Sequence, residues 1–396
     1  MRRLKRTLIA AALAATAMAG TAGWAAGDQQ DAVTGPPAGS AAWRADDVLH
    51  RPLPDPATAT PREVARFFAS LDATRQQQLA TRHPLVVGNL DGAPVALRYA
   101  ANRLAIAAER DRQLARSTDG SLAAHEREQA RGRAARYARL LAPGRQILAF
   151  DPRGRGQLAE VYGDWTAARH TAVVVPGSDT DLATFDRGEQ RYDSPAGMAR
   201  ALRAEMARQA PAAPTAVIAW AGYTTPVGVG IDAATGRLAE AGAPRLDRFL
   251  AGLAALGGDV APALFCHSYG SVVCGLAAPH LGAAEAADLV VLASPGVHAD
   301  SAAALHTGAR VWATRRNGED WIGDVPNVSL FGLGHGADPT SGAFGALSVP
   351  STGAHGHSGY FTPGTQSLRH FAQIALGRYE EVRRAASGSP SMHPNG

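Results

Sequence analysis

Short apolar runs alternate with helical stretches over residues 144–376, and this alternation restricts the fold more than any other feature of the sequence. Such runs, bounded by glycine and proline, are typical of strands buried on both faces of a parallel sheet that helices cover. The predicted strands are residues 146–150, 158–162, 171–175, 215–220, 263–266, 289–293, 310–314 and 344–349. The turn-rich residues 151–156 favour a hairpin between the first two. We therefore expect an α/β fold with a mainly parallel, eight-stranded sheet covered by helices.

The first 26 residues have the pattern of a secretory signal peptide. Arg2, Arg3, Lys5 and Arg6 precede a run of apolar and small residues over 8–26, which is hydrophobically weak for a permanent membrane span. Removing these four from the 39 basic residues leaves 35, equal to the 35 acidic residues. The net charge of +4 is therefore a property of the predicted signal. We expect a secreted or envelope-associated protein with no stable membrane span after cleavage.

The remaining chain divides by composition into four parts. Residues 27–59 are rich in proline and alanine without an apolar period, which is typical of a linker or a loosely draped arm. Residues 60–142 are predicted to be helical, beginning with a capping box at Thr60-Pro61-Arg62-Glu63. The predicted catalytic domain covers residues 143–384, and residues 385–396 form a tail rich in serine, proline and glycine that we expect to be disordered.

Composition excludes several classes of protein. Lys5 is the only lysine, so a mature chain has none for a P-loop or for a pyridoxal Schiff base. With the charges balanced, no basic patch indicates a nucleic-acid partner. Two cysteines cannot form a zinc finger, and His125-Glu126-Arg127-Glu128-Gln129 lacks the second histidine of a zincin. We expect neither a metal nor an organic cofactor.

The segment Phe265-Cys266-His267-Ser268-Tyr269-Gly270-Ser271 lies between a predicted strand and a predicted helix. A sharp strand-to-helix turn presents its central serine at the end of the sheet, beside the positive end of the helix. Small residues two before and two after the serine let such a turn close. Gly270 meets this requirement, whereas Cys266 occupies the position of the first glycine. Ser268 is therefore a candidate nucleophile, and an incidental serine at an ordinary corner is the alternative.

A serine nucleophile needs a base and an acid from later loops of such a sheet. Asp320 is the candidate acid because it follows the strand predicted to end near Thr314, with Glu319 and Asp324 as rivals. Among later histidines, His357 is preferred because it lies between the last predicted strand and the last predicted helix. The competing histidines are His335, His355 and His370.

Acyl transfer also needs hydrogen-bond donors for the oxyanion. The backbone N–H of Tyr269 is one candidate. The second is the N–H of Ser178 or Gly177, in a turn that follows the third predicted strand. The long region between Tyr223 and Pro244, which contains Gly228-Val229-Gly230, is a candidate wall of the substrate pocket.

From His83 to Tyr379, the chain resembles the alpha/beta-hydrolase superfamily, and within it an actinobacterial group long catalogued as a domain of unknown function. The motifs that carry the resemblance are VGNLDGAP (87–94) with ANR (101–103), VPG (175–177), WAGY (220–223), HSYGS (267–271), ASPGV (293–297), DWI (320–322), GADP (336–339) and HSGYF (357–361). The resemblance implies Ser268, Asp320 and His357 as the triad. The sequence departs from the family at Cys266, where the family usually has glycine, and the family supplies no substrate.

Cys266 and Cys274 lie on either side of Ser268 in the sequence. In an oxidising compartment they can pair and fasten the turn. The alternative is two small, buried apolar side chains. The distance between their Cα atoms decides between these interpretations.

Taken together, these patterns predict an exported serine hydrolase that cleaves an ester or related acyl bond of a small-molecule or lipid-like substrate. A peptidase with the same triad and a catalytically inactive envelope-binding protein are the alternatives, the latter supported by Cys266. No pattern indicates an oligomeric state.

Overall fold

An eight-stranded sheet forms the centre of the protein. The computed structural model describes residues 29–188, 191–257, 261–316, 320–324 and 333–387. Its strands are β1 Gln146–Asp151, β2 Gln157–Tyr162, β3 His170–Val175, β4 Thr215–Ala221, β5 Ala263–His267, β6 Asp288–Leu292, β7 Gly296–Ala299, β8 Arg310–Thr314, β9 His335–Gly336 and β10 Leu347–Ser348. The large sheet has the order β1-β2-β4-β3-β5-β6-β8-β10, and β7 pairs with β9 in a separate small sheet.

The predicted mainly parallel sheet is confirmed. The pair β1/β2 is antiparallel, as the hairpin prediction requires. The pair β2/β4 is also antiparallel, and the other pairs of the large sheet are parallel. The last strand is shorter than the predicted residues 344–349, because Phe344 closes a turn with Ser341 and buries its ring without pairing to β8.

Helices cover both faces of the sheet. They are α1 Ser40–Arg44, α2 Pro61–Ala69, α3 Ala73–Arg82, α4 Pro84–Gly88, α5 Val95–Thr118, α6 Ala124–Leu140, α7 Pro195–Gln209, α8 Ile231–Ala234, α9 Arg237–Ala255, α10 Gly270–Ala277, α11 Gln366–Ala375 and α12 Tyr379–Ser387. Alternate strand residues face opposite sides. One core joins the sheet to α5, α6, α7, α11 and α12, and the other joins it to α9 and α10.

Part of the segment 29–59, predicted to be a linker or a loosely draped arm, is packed against the rest of the protein. Trp43 is fully buried, and its Nε1 donates a hydrogen bond to the carbonyl of Pro54 at 2.7 Å. Its ring joins a third core with α2, α3 and the start of α5. A single tryptophan in a proline-rich segment gives no apolar period, although burying its ring stabilises the segment substantially.

The chain ends differ from the prediction in one detail. The predicted signal peptide, residues 1–26, lies outside the described residues, which begin at residue 29. Residues 385–387 of the predicted tail belong to α12. Val382, one turn earlier in that helix, is buried in the core and holds the helix against the sheet.

Side chains from α5 and from the loop before it close the exposed edge of β1. Asn89 forms two hydrogen bonds with the main chain of Phe150, at 2.7 and 3.0 Å. Arg98 donates to the carbonyl of Leu148 at 3.0 Å, and Asn102 to that of Ile147 at 3.0 Å. The motif at residues 87–103 therefore satisfies strand groups that would otherwise be left unpaired at a sheet edge.

Candidate active site

Ser268 lies at a sharp turn between β5 and α10. It has a φ of 54°, in the left-handed region that non-glycine residues rarely adopt and that costs on the order of 1–3 kcal/mol. Its backbone N–H donates to the carbonyl of Leu292 at 3.0 Å, and its own carbonyl accepts from Ser271 Oγ at 2.6 Å. The turn is therefore fixed from both sides.

Gly270 lets this turn approach the neighbouring strand closely. A Cβ added at Gly270 would lie 2.4 Å from the carbonyl oxygen of Val175 and 2.6 Å from that of Pro176. A side chain at this position would force the turn away from β3. The requirement for a small residue two positions after the serine is thus a steric one.

His357 lies between Ser268 and Asp320. The Oγ of Ser268 is 2.8 Å from Nε2 of His357, and Nδ1 of His357 is 2.8 Å from Oδ1 of Asp320. Because an ionised carboxylate only accepts hydrogen bonds, Nδ1 carries the proton and Nε2 of the neutral ring is free to accept from the serine hydroxyl. These three side chains form one continuous hydrogen-bonded chain.

Asp320 accepts hydrogen bonds from two groups in addition to His357. Its Oδ2 accepts from the hydroxyl of Tyr360 at 2.7 Å, and its Oδ1 also accepts from the backbone N–H of Ile322 at 3.1 Å. Burial by itself would raise the pKa of Asp320, but the hydrogen bonds and charge interaction with His357, together with the Tyr360 bond, lower it below the ordinary value. The acid therefore stays ionised inside the protein.

His267 fixes the backbone of His357. Its Nε2 donates to the carbonyl of His357 at 2.8 Å, and the two rings have centroids 4.9 Å apart. Burial, with a smaller contribution from the nearby His357, lowers the pKa of His267 to about 4. His267 is therefore neutral at physiological pH and adds no positive charge beside His357.

The competing histidines lie elsewhere or are bonded to other groups. Nε2 of His335 donates to the carbonyl of Ala233 at 2.8 Å, and its Nδ1 is 3.1 Å from Nε2 of His298. His370 is buried in α11, where its Nδ1 is 3.1 Å from the carbonyl oxygen of Pro350. His355 is exposed two residues before His357. Of the competing acids, Glu319 lies outside the described residues.

The loop after β3 lies directly against the serine. A Cβ added at Gly177 would be 2.6 Å from Cβ of Ser268 and 2.9 Å from the backbone nitrogen of Tyr269. Ser178, the next residue, is half-buried. The structure thus brings the predicted oxyanion loop and the N–H of Tyr269 together at the candidate nucleophile.

The two cysteines are joined by a disulfide. Their sulfur atoms are 2.02 Å apart and both side chains are fully buried, as the first of the two interpretations from the sequence requires. Cys266 also pairs in register with Val175 of β3. The disulfide thus connects the end of β5, two residues before Ser268, to the second turn of α10.

Within the described ranges, no group of three or more histidine, cysteine or acidic residues is placed to hold a metal ion. In the same ranges, no helix is both long and apolar enough to cross a lipid bilayer.

Comparison with known families agrees with this architecture. Residues 151–330 match the family model described as "Alpha/beta hydrolase". This range contains Ser268 and Asp320 and ends before His357. The protein therefore has the alpha/beta-hydrolase fold.

Two relatives of this protein carry names that give no function. Both are called uncharacterized proteins, come from two strains of Mycobacterium tuberculosis, and are 30% identical over 378 residues. The match covers 82% of this chain but only 57% of each relative, so the chain spans little more than half of their length. A solved protein of Xanthomonas campestris, described as an a/b serine hydrolase without lid, is 16% identical with a TM-score of 0.32. That likeness covers 60% of this chain and 96% of the other, and it is too low to support an argument about the site.

Two residues that bond to the candidate triad have no role predicted from the sequence. They are His267 and Tyr360. Both occur in the motifs quoted above, next to Ser268 and three residues after His357. Their polar character at otherwise buried positions is the signal that could have identified them.

Proposed function

We propose that this hydrolase cleaves an ester or related acyl bond, with Ser268, His357 and Asp320 as its catalytic triad. The observation that carries the proposal is the continuous hydrogen-bonded chain from Asp320 through His357 to Ser268, at a serine held in a left-handed turn. A serine so placed at the end of a sheet, with its base within hydrogen-bond reach, is the arrangement that acyl transfer requires.

In the proposed mechanism, Ser268 Oγ attacks the acyl carbonyl while His357 Nε2 accepts its proton. The negative charge of Asp320 stabilises the imidazolium and keeps the ring in the correct orientation. His357 then donates the proton to the departing alcohol, which leaves an acyl-enzyme on Ser268. A water molecule, deprotonated by the same histidine, attacks this intermediate, and the carboxylic acid leaves as His357 returns the proton to Ser268 Oγ.

The oxyanion of each tetrahedral intermediate would be held by backbone N–H groups. Tyr269 supplies one from the start of α10, where the positive end of the helix also favours negative charge. The loop of Gly177 and Ser178 supplies the second. The close contact of Gly177 with Ser268 supports this assignment, since it places the loop against the reacting side chain.

A catalytically inactive scaffold is the competing interpretation, and its main argument is Cys266 in place of glycine. The disulfide to Cys274 gives that cysteine a structural role. Ser268 retains its left-handed conformation and its contact with His357 beside this disulfide. These observations support an active enzyme.

Fluorophosphonate labelling tests the proposal. We expect the purified protein to be labelled, the Ser268→Ala variant to be unlabelled, and the control Ser70→Ala, at an exposed position after α2, to be labelled like the wild type. Comparing p-nitrophenyl butyrate with butyryl p-nitroanilide then separates an esterase from an amide-cleaving peptidase. Folded wild-type protein without Ser268-dependent labelling would refute the enzyme proposal.

We also propose that the protein is exported to the cell surface or the medium. The basic start and the apolar run over residues 8–26 support this, as does a disulfide, which persists in oxidising compartments. N-terminal sequencing of protein recovered from the medium and envelope should show a start near residue 20 or residue 27. Intact Met1 on protein confined to the cytoplasm would contradict export.

A further inference from the structure

Most of the exposed large apolar side chains lie at one end of the sheet. Seven such side chains are exposed among the described residues, and two of them, Leu104 and Leu114, lie on α5. The other five lie in connecting segments, one of them at the start of the short helix α8, at the end of the sheet where Ser268 is found. They are Val227, Val229, Ile231, Trp321 and Leu333, and we refer to them as the apolar rim. Clustered exposed apolar side chains mark binding surfaces more often than scattered ones do.

Three residues of the apolar rim belong to a segment bonded to the oxyanion loop. The backbone N–H of Asp179 donates to the carbonyl of Pro226, and that of Gly228 donates to Oδ1 of Asp179, both at 2.8 Å. Asp179 comes two residues after Gly177, which touches Ser268. Val227, Val229 and Ile231 are therefore held beside this loop, and Val229 is 68% exposed.

Leu333 is fixed next to the turn that bears Ser268. It forms a bridge with Thr235, whose carbonyl accepts a hydrogen bond from the hydroxyl of Tyr269 at 2.8 Å.

Trp321 lies beside His357, the hydrogen-bond partner of Ser268. Its ring centroid is 4.7 Å from that of His357, yet the residue is 45% exposed. The apolar rim therefore borders both the oxyanion loop and the histidine.

We propose that the apolar rim binds the acyl chain of the substrate, which makes esters of medium or long unbranched fatty acids the preferred class. The inference rests on the proposed function, because an acyl chain is attached to the carbonyl carbon that Ser268 attacks. Such a chain begins between the serine and the oxyanion loop, and the segment that carries Val227, Val229 and Ile231 is bonded to that loop. Two charged side chains of the adjoining segments have partners, since Asp179 accepts a hydrogen bond from the backbone N–H of Gly228 and Asp232 forms an ion pair with Arg237.

Space for a chain exists along this part of the rim. A Cβ added at Gly228 or Gly230, on either side of Val229, would meet no atom within 4 Å. Each methylene group removed from water is worth about a fourfold preference, so a few contacts produce a measurable dependence on chain length.

The test uses p-nitrophenyl acetate, butyrate and octanoate with two double variants. The rim variant is Val229→Ser with Ile231→Ser, and the matched control is Leu104→Ser with Leu114→Ser on α5. We expect kcat/KM of the wild type to rise from acetate to octanoate. The rim variant should lower the octanoate-to-acetate ratio of kcat/KM at least tenfold, while the control leaves the ratio unchanged. The changed side chains are exposed in both variants, so equal melting temperatures should show that both fold.

Three other results would overturn the inference in distinguishable ways. Labelled wild-type enzyme with the same ratio in both variants would reject the apolar rim as the acyl site and leave the proposed function intact. A wild type that is dimeric by gel filtration, with a monomeric rim variant of unchanged ratio, would identify the rim as an interface between two copies. A folded wild type that fluorophosphonate does not label would reject the proposed function, and the acyl site with it.

Discussion

Two regions of this protein contain clusters of buried polar side chains whose hydrogen-bond partners differ. At the edge of β1, Asn89, Arg98 and Asn102 bond mainly to backbone groups of the strand. At the turn after β5, Ser268, His357 and Asp320 bond to one another. Both sets are largely buried, so burial alone does not tell which region carries the chemistry.

The hydrogen-bond partners of a buried polar side chain indicate its role. A side chain that satisfies a backbone carbonyl replaces a missing strand, and its value is the free energy of unfolding that it contributes. Titratable side chains that share protons can pass them to a substrate, and their value is a lower reaction barrier. Substitutions in one region should therefore affect stability, and substitutions in the other should affect turnover.

The largest effect is expected for Asp320→Asn. The amide cannot replace the negative charge that stabilises the His357 imidazolium, so kcat should fall about 10⁴-fold. The urea-unfolding midpoint of this variant should stay close to that of the wild type. The measurement is ester hydrolysis at saturating substrate, with Ser268→Ala as the zero. Retention of more than a tenth of the wild-type kcat would mean that Asp320 is not the acid of the triad.

The next effect is expected at the edge of β1. Arg98→Leu removes the donor to the carbonyls of Gly88 and Leu148 and leaves the carboxylate of Asp91, 3.0 Å away, without this partner. Breaking a buried ion pair of this kind should lower the free energy of unfolding by about 3–5 kcal/mol. The fraction of folded protein that fluorophosphonate labels should stay unchanged.

Arg116→Leu is the matched control for that measurement, because it lies on the same helix with its side chain exposed. We expect a change of no more than about 0.5 kcal/mol there. Equal midpoints of urea unfolding in both variants would show that Arg98 does not support the edge of the sheet.

His267 links the two regions, because it is a buried histidine bonded to a backbone carbonyl inside the catalytic site. Its pKa of about 4 lies below the value of about 6.5 expected for the unfolded chain. The unfolded state therefore binds a proton between these values while the folded state does not, and stability falls as the pH drops from 6.5 to 4. One buried group shifted this far contributes about 3 kcal/mol to that loss.

His267→Gln keeps a donor for the carbonyl of His357 and removes this titration. We expect its urea-unfolding midpoint to depend less on pH between 7 and 4.5 than that of the wild type. His125→Asn, on the exposed face of α6, should follow the wild type. Parallel curves for all three proteins would show that His267 does not titrate with a lowered pKa.

The sheet could be predicted because its buried strands are short apolar runs bounded by glycine and proline. The turn at Ser268 could also be predicted, because the strand, the serine with its small neighbours and the following helix are adjacent in the sequence. The support of Asp320 by Tyr360 joins residues 40 positions apart, and that of His357 by His267 joins residues 90 positions apart. Such partners carry no periodic signal, and neither does Trp43 in its proline-rich arm.

The smallest of the four effects is expected for the disulfide. Its removal tests whether a bond next to the nucleophile contributes to stability or to catalysis. The bond closes a loop over a sequence separation of eight, for which the loss of unfolded-state freedom is worth roughly 2–3 kcal/mol. The variant Cys266→Gly with Cys274→Ala removes the disulfide and places a glycine two residues before Ser268. Its urea-unfolding midpoint should fall by the equivalent of this free energy. Its labelling by fluorophosphonate should remain, because Gly270, Ser271 and the carbonyl of Leu292 fix the turn without the sulfur atoms. Loss of labelling in folded variant protein would instead place the disulfide with the residues that position the nucleophile.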